Sequence, residues 1–126
     1  MMVVLANSVK NGAHCLAGKS LDASGHVGAW VRPVVGAADE GVPLARTLCS
    51  DGHPAAVLDV VDADWGAPVP ELHQHENRRL APSVLKRCGR VNWDDLRVLA
   101  DDARAGLWLS GSSSRCGVND RVPTFQ

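Results

Sequence analysis

The chain has no tyrosine, no isoleucine and a single phenylalanine, so its large aromatic side chains are four tryptophans and the one Phe. Its core must come from small aliphatics, supplied by 17 Val, 16 Ala and 13 Leu. Lysine and glutamate are scarce, three of each against ten Arg and eleven Asp, a skew that reads as the codon bias of a GC-rich genome and not as function. There is no run of 18 or more apolar residues, which excludes a membrane-spanning helix. Met1 to Ala6 carry no basic region ahead of their short apolar run and meet Asn7, Ser8 and Lys10 at once, unlike a secretory signal. A soluble, cytoplasmic chain is expected. The cysteines at 15, 49, 88 and 116 form no C-x-x-C pair, so neither a structural zinc nor any other metal or cofactor is expected, and cytosolic thiols of this kind pack free as small apolar groups. A large charge of one sign is missing too: 13 Lys+Arg against 14 Asp+Glu leave −1, which excludes a non-specific polyanion coat and an acidic mimic.

What is present fits one domain: 126 residues, 45% hydrophobic and 21% charged. Met2 to Val9 reads as a strand ended by the turn signal Asn11-Gly12, Cys15 to Leu21 as its hairpin partner, and Gly28 to Val35 as a third strand. Trp30, Arg32 and Val34 then share one face of that strand, and Pro33 makes it an edge strand or bends it. Residues 36–54 read as an irregular loop holding a helical turn between Leu44 and Leu48, and Ala56 to Ala63 as a central strand. Trp65 to Pro82, with three prolines and no period, reads as an extended surface segment, and Val84 to Val91 as a short strand. Asn92 looks like an N-cap for an amphipathic helix near residues 93–105, with Trp93, Leu96, Leu99, Ala100 and Ala103 as its buried stripe and Gly106 as its stop. Leu107 to Leu109 reads as a strand, Ser110 to Ser114 as a loop, and Val118 to Phe125 closes the chain. Short strands with one convincing helix predict a mainly β domain, either a small β-barrel or a β-rich α+β fold.

Three stretches resemble the dual OB-containing domain, a prokaryotic family. Ala6-Asn7-Ser8-x-Lys10-x-Gly12-x-x-Cys15-x-Ala17-Gly18, followed by Trp30-Val31-Arg32-Pro33-Val34, is similar to its A-N-S-x-K-x-G-x-x-C-x-A-G and W-[IV]-R-P-V. Asp59-Val60-Val61 leading to Gln74-His75-Glu76-Asn77 is similar to D-V-V and Q-P-E-N, with His75 where the family has Pro. Leu107-Trp108 with Asn119-Asp120-Arg121-Val122 is similar to L-W and N-D-R-[IV]. The resemblance implies a small barrel of the oligonucleotide- and oligosaccharide-binding (OB) type and a role as a nucleic-acid or nucleotide-ligand module. The pattern corresponds to the first lobe only of a two-lobed design. Either the chain is a one-lobed version, or a partner chain or a second copy in a homodimer supplies the missing packing surface.

Beside this resemblance, residues 77–93 hold Arg78, Arg79, Lys86, Arg87 and Arg90 with no acid, while residues 51–64 sum to −4. The first 35 residues are net +2. If the basic segments share a barrel face, they contact phosphates and make affinity fall with salt; otherwise they are a solvated surface. Trp30 beside Arg32 is either a stacking platform for a base or a core residue. Asn7, Lys10 and Gly12 are either an anion cluster or turn-forming residues, and Asp120-Arg121 either a loop salt bridge or a ligand contact. His73, His75 and Glu76 lack the further ligands that a metal site needs and read as exposed polar residues. His14 and Cys15 point to opposite faces of a strand and cannot pair, and no nucleophile–base–orienter signature supports an enzyme. The ligand-binding candidates are Asn7, Lys10, Trp30, Arg32, Arg78, Arg79 and Arg121, in a non-catalytic OB-like module for nucleic acid or a nucleotide-like ligand. The alternative is an assembly domain pairing through a barrel edge.

Overall fold

The computed structural model describes residues 1–36, 41–71 and 74–102. Asn11 and Gly12 both have positive φ, 52° and 78°, so the Asn-Gly pair closes a tight hairpin between β1 (Met2–Lys10) and β2 (Ala13–Leu21). A second turn, in which Asp22 Oδ1 accepts from the Ser24 and His26 amides at 2.8 and 2.9 Å, leads into β3 (Val27–Val34). These three strands form the expected meander. Then follow β4 (Val42–Pro43), a helical turn α1 (Leu44–Thr47) where one was expected, β5 (Asp59–Asp62), β6 (Trp65–Pro68), β7 (Asn77–Leu80) and β8 (Lys86–Arg90). A 3₁₀ turn (Trp93–Asp95) runs into α2 (Leu96–Leu99).

The strands form one curled sheet in the order β6-β7-β3-β2-β1-β5-β8, with β4 added against β2. All pairs are antiparallel except β3 with β7. This is the mainly β, OB-like barrel architecture. Inside the curl, Met2, Val4, Leu16, Val31, Val61 and Leu80 form the core, built from five strands. Gly18 is required there, because a Cβ on it would lie 1.9 Å from the Val3 carbonyl oxygen. Leu58, at φ 77°, takes a left-handed turn into β5 and ties both ends of that turn: its N–H donates to Val4 O at 2.7 Å and its carbonyl accepts from Val91 N at 2.9 Å.

Several expectations are corrected. The strand expected at 56–63 begins only at Asp59, after the Leu58 turn, although it does lie between β1 and β8 inside the sheet. Trp65 to Pro82 is not a surface strap: its ends form β6 and β7, and Asn77 and Leu80 are buried. Pro33 sits in an interior strand, made possible by a change of partner. β3 pairs with β2 through Val31 and with β7 from Arg32 onward, so no β2 residue is paired with the position that lacks an amide hydrogen. The same change breaks the alternation, leaving Trp30 exposed and Val34 fully buried instead of sharing a face. The helix expected near 93–105 begins at its Asn92 cap, where the Asn92 amide donates to Asp95 Oδ2 at 3.0 Å, but it ends at Leu99 and Ala100 is extended. Among the described residues of its expected stripe Leu99 alone is buried and Trp93 is 74% exposed, while Ala103 lies outside the described residues. The strand expected at 107–109 and the closing segment 118–125 lie outside the described residues.

Candidate nucleotide-binding surface

Two of the stretches that carried the resemblance meet at the β3–β7 junction. Arg32 Nη1 donates to Gln74 Oε1 at 2.6 Å and to Asn77 Oδ1 at 3.0 Å, and the Arg32 amide donates to Glu76 O at 2.9 Å. The W-x-R-P-V strand and the Q-x-E-N turn are therefore one network, in which the guanidinium fixes the parallel β3–β7 junction. Asn7 is also engaged internally: its Nδ2 donates to Ala55 O at 3.0 Å and its Oδ1 lies 2.9 Å from His14 Nδ1, which must carry the proton because a carbonyl oxygen only accepts.

The basic segment is divided between β7 and β8, which are not neighbours in the sheet. β7 lies next to the end of the strand order at β6, whereas β8 closes the opposite end. On β8, Arg87 Nε donates to Asp59 Oδ2 at 3.0 Å and also meets Asp51, while Arg90 Nη1 donates to Asp59 Oδ1 at 3.0 Å. Asp59 is only 2% exposed, and the pairing of β5 with β8 sets Asp59 opposite Arg90 and Asp62 opposite Lys86. Part of the acidic stretch, Asp51 and Asp59, thus neutralises part of the basic one, Arg87 and Arg90.

Three further cations lie away from the Asp59 network. Lys10, at the tip of the β1–β2 hairpin, and Arg79 on β7 are exposed and make no polar contact among the described residues. Arg78 donates through Nε to Gly66 O at 3.1 Å, which orients the guanidinium and leaves both Nη groups unpaired among the described residues. It lines a cleft of about 380 Å³ whose walls include Val27, Val31 and Trp65 and whose rim carries Asp22 and His26. Backbone donation from His26, with smaller side-chain and amide contributions, holds the Asp22 carboxyl below its usual range, so it stays ionised beside the His26 ring. Arg121 lies outside the described residues.

On the opposite face of β3 from Val31, Trp30 is 41% exposed and is the cross-strand partner of Lys19. The Lys19 ammonium lies 5.6 Å from the centre of the Trp30 ring and is paired with the Asp101 carboxylate. Trp30 Nε1 donates to the other oxygen of that carboxylate at 2.8 Å.

A family model for the dual OB-containing domain matches residues 1–126. The chain belongs to the dual OB-containing domain family. No curated protein and no solved structure matches it significantly. A dual OB-containing domain is a binding-type module. Sequence reasoning placed Trp30 and Arg78 among the candidates but missed Lys19, His26, Trp65 and Asp101. The Lys19–Trp30 pairing depends on a register shift between Lys19 and Leu21 that the sequence does not signal, and the approach of Asp101 across 82 positions had no local signal either. Among the described residues no cluster of three metal-ligating side chains occurs, and no helix is long and apolar enough to cross a membrane.

Proposed function

We propose that the chain is a non-catalytic binding module for a nucleic-acid strand or nucleotide-like ligand. The observation that carries this reading is the cleft between β3 and β6. It joins an apolar wall of Val31 and Trp65 to an Arg78 guanidinium that is oriented by Gly66 and has both Nη groups available. Its volume falls within the range of small-ligand sites. An aromatic wall suits a base, and a bidentate guanidinium suits a phosphate. Of the cations considered from sequence, Arg78 takes the anion contact in this reading, with Lys10 and Arg79 adding long-range attraction, while Arg32 and Asn7 hold the scaffold.

Assembly through a barrel edge finds less support. The outer strand β6 ends in Pro68, and β8 carries Lys86, Arg87 and Arg90, features that discourage edge-to-edge pairing. The test of the binding reading is fluorescence anisotropy of labelled single-stranded DNA and RNA, and of a labelled adenine nucleotide, at low and high salt. Binding that weakens with salt and is reduced at least tenfold in Arg78→Ala is expected. No binding of any of the three at low salt overturns the reading.

A further inference from the structure

Lys19 has an unusual setting for a lysine in a small domain. It is 6% exposed, its ammonium lies near the face of Trp30, and the acid that neutralises it is Asp101, whose side chain is 62% exposed. Asp101 follows α2 in an extended stretch and is held, among the described residues, by its carboxylate alone: one oxygen to Lys19 Nζ, the other to Trp30 Nε1. The carboxylate side of this pair is open to solvent and therefore to competing anions. Opening the pair without replacement would leave a nearly buried ammonium unpaired, which is costly. The favourable way to release Asp101 is therefore exchange for another anion at the same two donors.

We propose that Lys19 and Trp30 form a phosphate-and-base subsite for single-stranded nucleic acid on the outer face of β2 and β3, and that Asp101 is a tethered competitor occupying its phosphate position. The two donors that a phosphate oxygen needs, an ammonium and an indole N–H, are already aimed at an anion, and the exposed part of the ring lies beside them for a base to stack on. An incoming strand displaces Asp101, so binding at this face and release of the Asp101 carboxylate are one event. The subsite rests on the nucleic-acid reading of the chain but not on the cleft, because Arg78 takes no part in it.

The test measures anisotropy of a labelled oligothymidylate at low salt with the parent chain, Asp101→Asn, Asp101→Glu and Asp101→Asn/Trp30→Leu, after thermal melting has confirmed folding. Asp101→Asn is expected to tighten binding about fivefold or more, Asp101→Glu to leave it within twofold, and Trp30→Leu to remove the gain. The Asp101→Asn gain is expected to persist in Arg78→Ala, which separates this subsite from the cleft. In the parent chain, the Trp30 indole N–H resonance is expected to shift on titration with the oligothymidylate, a readout that needs no variant. Equal or weaker binding by folded Asp101→Asn, or an unmoved Trp30 indole resonance at saturation, overturns the proposal. If the parent binds through Arg78 and Asp101→Asn binds no tighter, only the subsite fails. If no chain binds, both readings fail.

Discussion

Arg32 and Gln74 meet at 2.6 Å across 42 positions of sequence, and their contact holds together the parallel pairing of β3 with β7. The same Arg32 nitrogen satisfies Asn77, a polar side chain that is 1% exposed. Shortening Arg32 to Ala leaves a buried amide with one acceptor less supplied, a loss of roughly 1–3 kcal/mol. Arg32→Lys recovers little of it, because a compact ammonium on a flexible stem does not hold a donor in the fixed planar position from which Nη1 reaches both oxygens. Thermal melting is expected to show a fall of several degrees for both variants.

The acid beneath β8 makes a second, asymmetric prediction. Asp59 is 3% exposed at its side chain and accepts from Arg87, Arg90 and the Ala56 amide, whereas Arg90 is 59% exposed. Asp59→Ala strips three donors of their acceptor at once and is expected to cost about 3 kcal/mol. Arg90→Ala removes one exposed arm of the network and is expected to change stability by less than about 1 kcal/mol. Urea unfolding of the two variants checks the contrast, and equal losses would show that the network does not centre on Asp59.

These two networks mark where the sequence stops being readable. β1 and β2 are visible locally because β-branched residues flank an Asn-Gly turn, and β3 because Asp22 and Gly25 form a turn before it. β6 and β7 are four residues each, bounded by prolines, and exist because Arg32 and its backbone offer Asn77 a partner from a distant strand. The charges of β5 and β8 were both visible as opposite runs, but only their pairing shows which of them cancel. In α2 the apolar spacing continued past Leu99, yet Ala100 turns extended and Asp101 is placed where it meets Lys19 and Trp30, so a tertiary contact prevails over helical propensity. For the site, the types of residue were legible and their neighbours were not.

Gly18 and Gly89 make a matched pair of controls for the packing. A Cβ at Gly18 meets the Val3 carbonyl oxygen at 1.9 Å, a backbone group that cannot rotate away, while nothing lies within 4 Å of a Cβ at Gly89. Gly18→Ala is expected to separate β1 from β2 and to abolish or severely reduce cooperative folding, whereas Gly89→Ala is expected to fold normally. Circular dichroism melts of both decide it.

Thiol reactivity reports the same burial. Cys88 is exposed on β8, Cys15 is half-buried, and Cys49 is in the core, where burial pushes its thiol above the ordinary range and so keeps it un-ionised. In a Cys116→Ser background, a disulfide reagent at pH 8 is expected to label Cys88 within the fast phase, Cys15 more slowly, and Cys49 only as the chain unfolds. Rapid labelling of Cys49 in the folded chain would contradict its place in the core.

Acid should open the contact that pins Asp101. The hydrogen bond from Lys19, followed by that from Trp30, holds the Asp101 carboxyl below its ordinary value of 3.8. A carboxyl depressed in the folded state contributes its stability in full above the unfolded value and loses it as pH falls through the lower, folded value. Trp30 fluorescence is therefore expected to stay constant from neutral pH down to about pH 4 and to change only below it. Trp30→Phe removes one of the two donors, so the Asp101 carboxyl, followed by its own carbon-13 resonance, is expected to titrate closer to 3.8 in that variant. Lys19→Met removes the larger contribution and is expected to bring it closer still. A titration unchanged in both variants would show that neither donor holds the carboxylate.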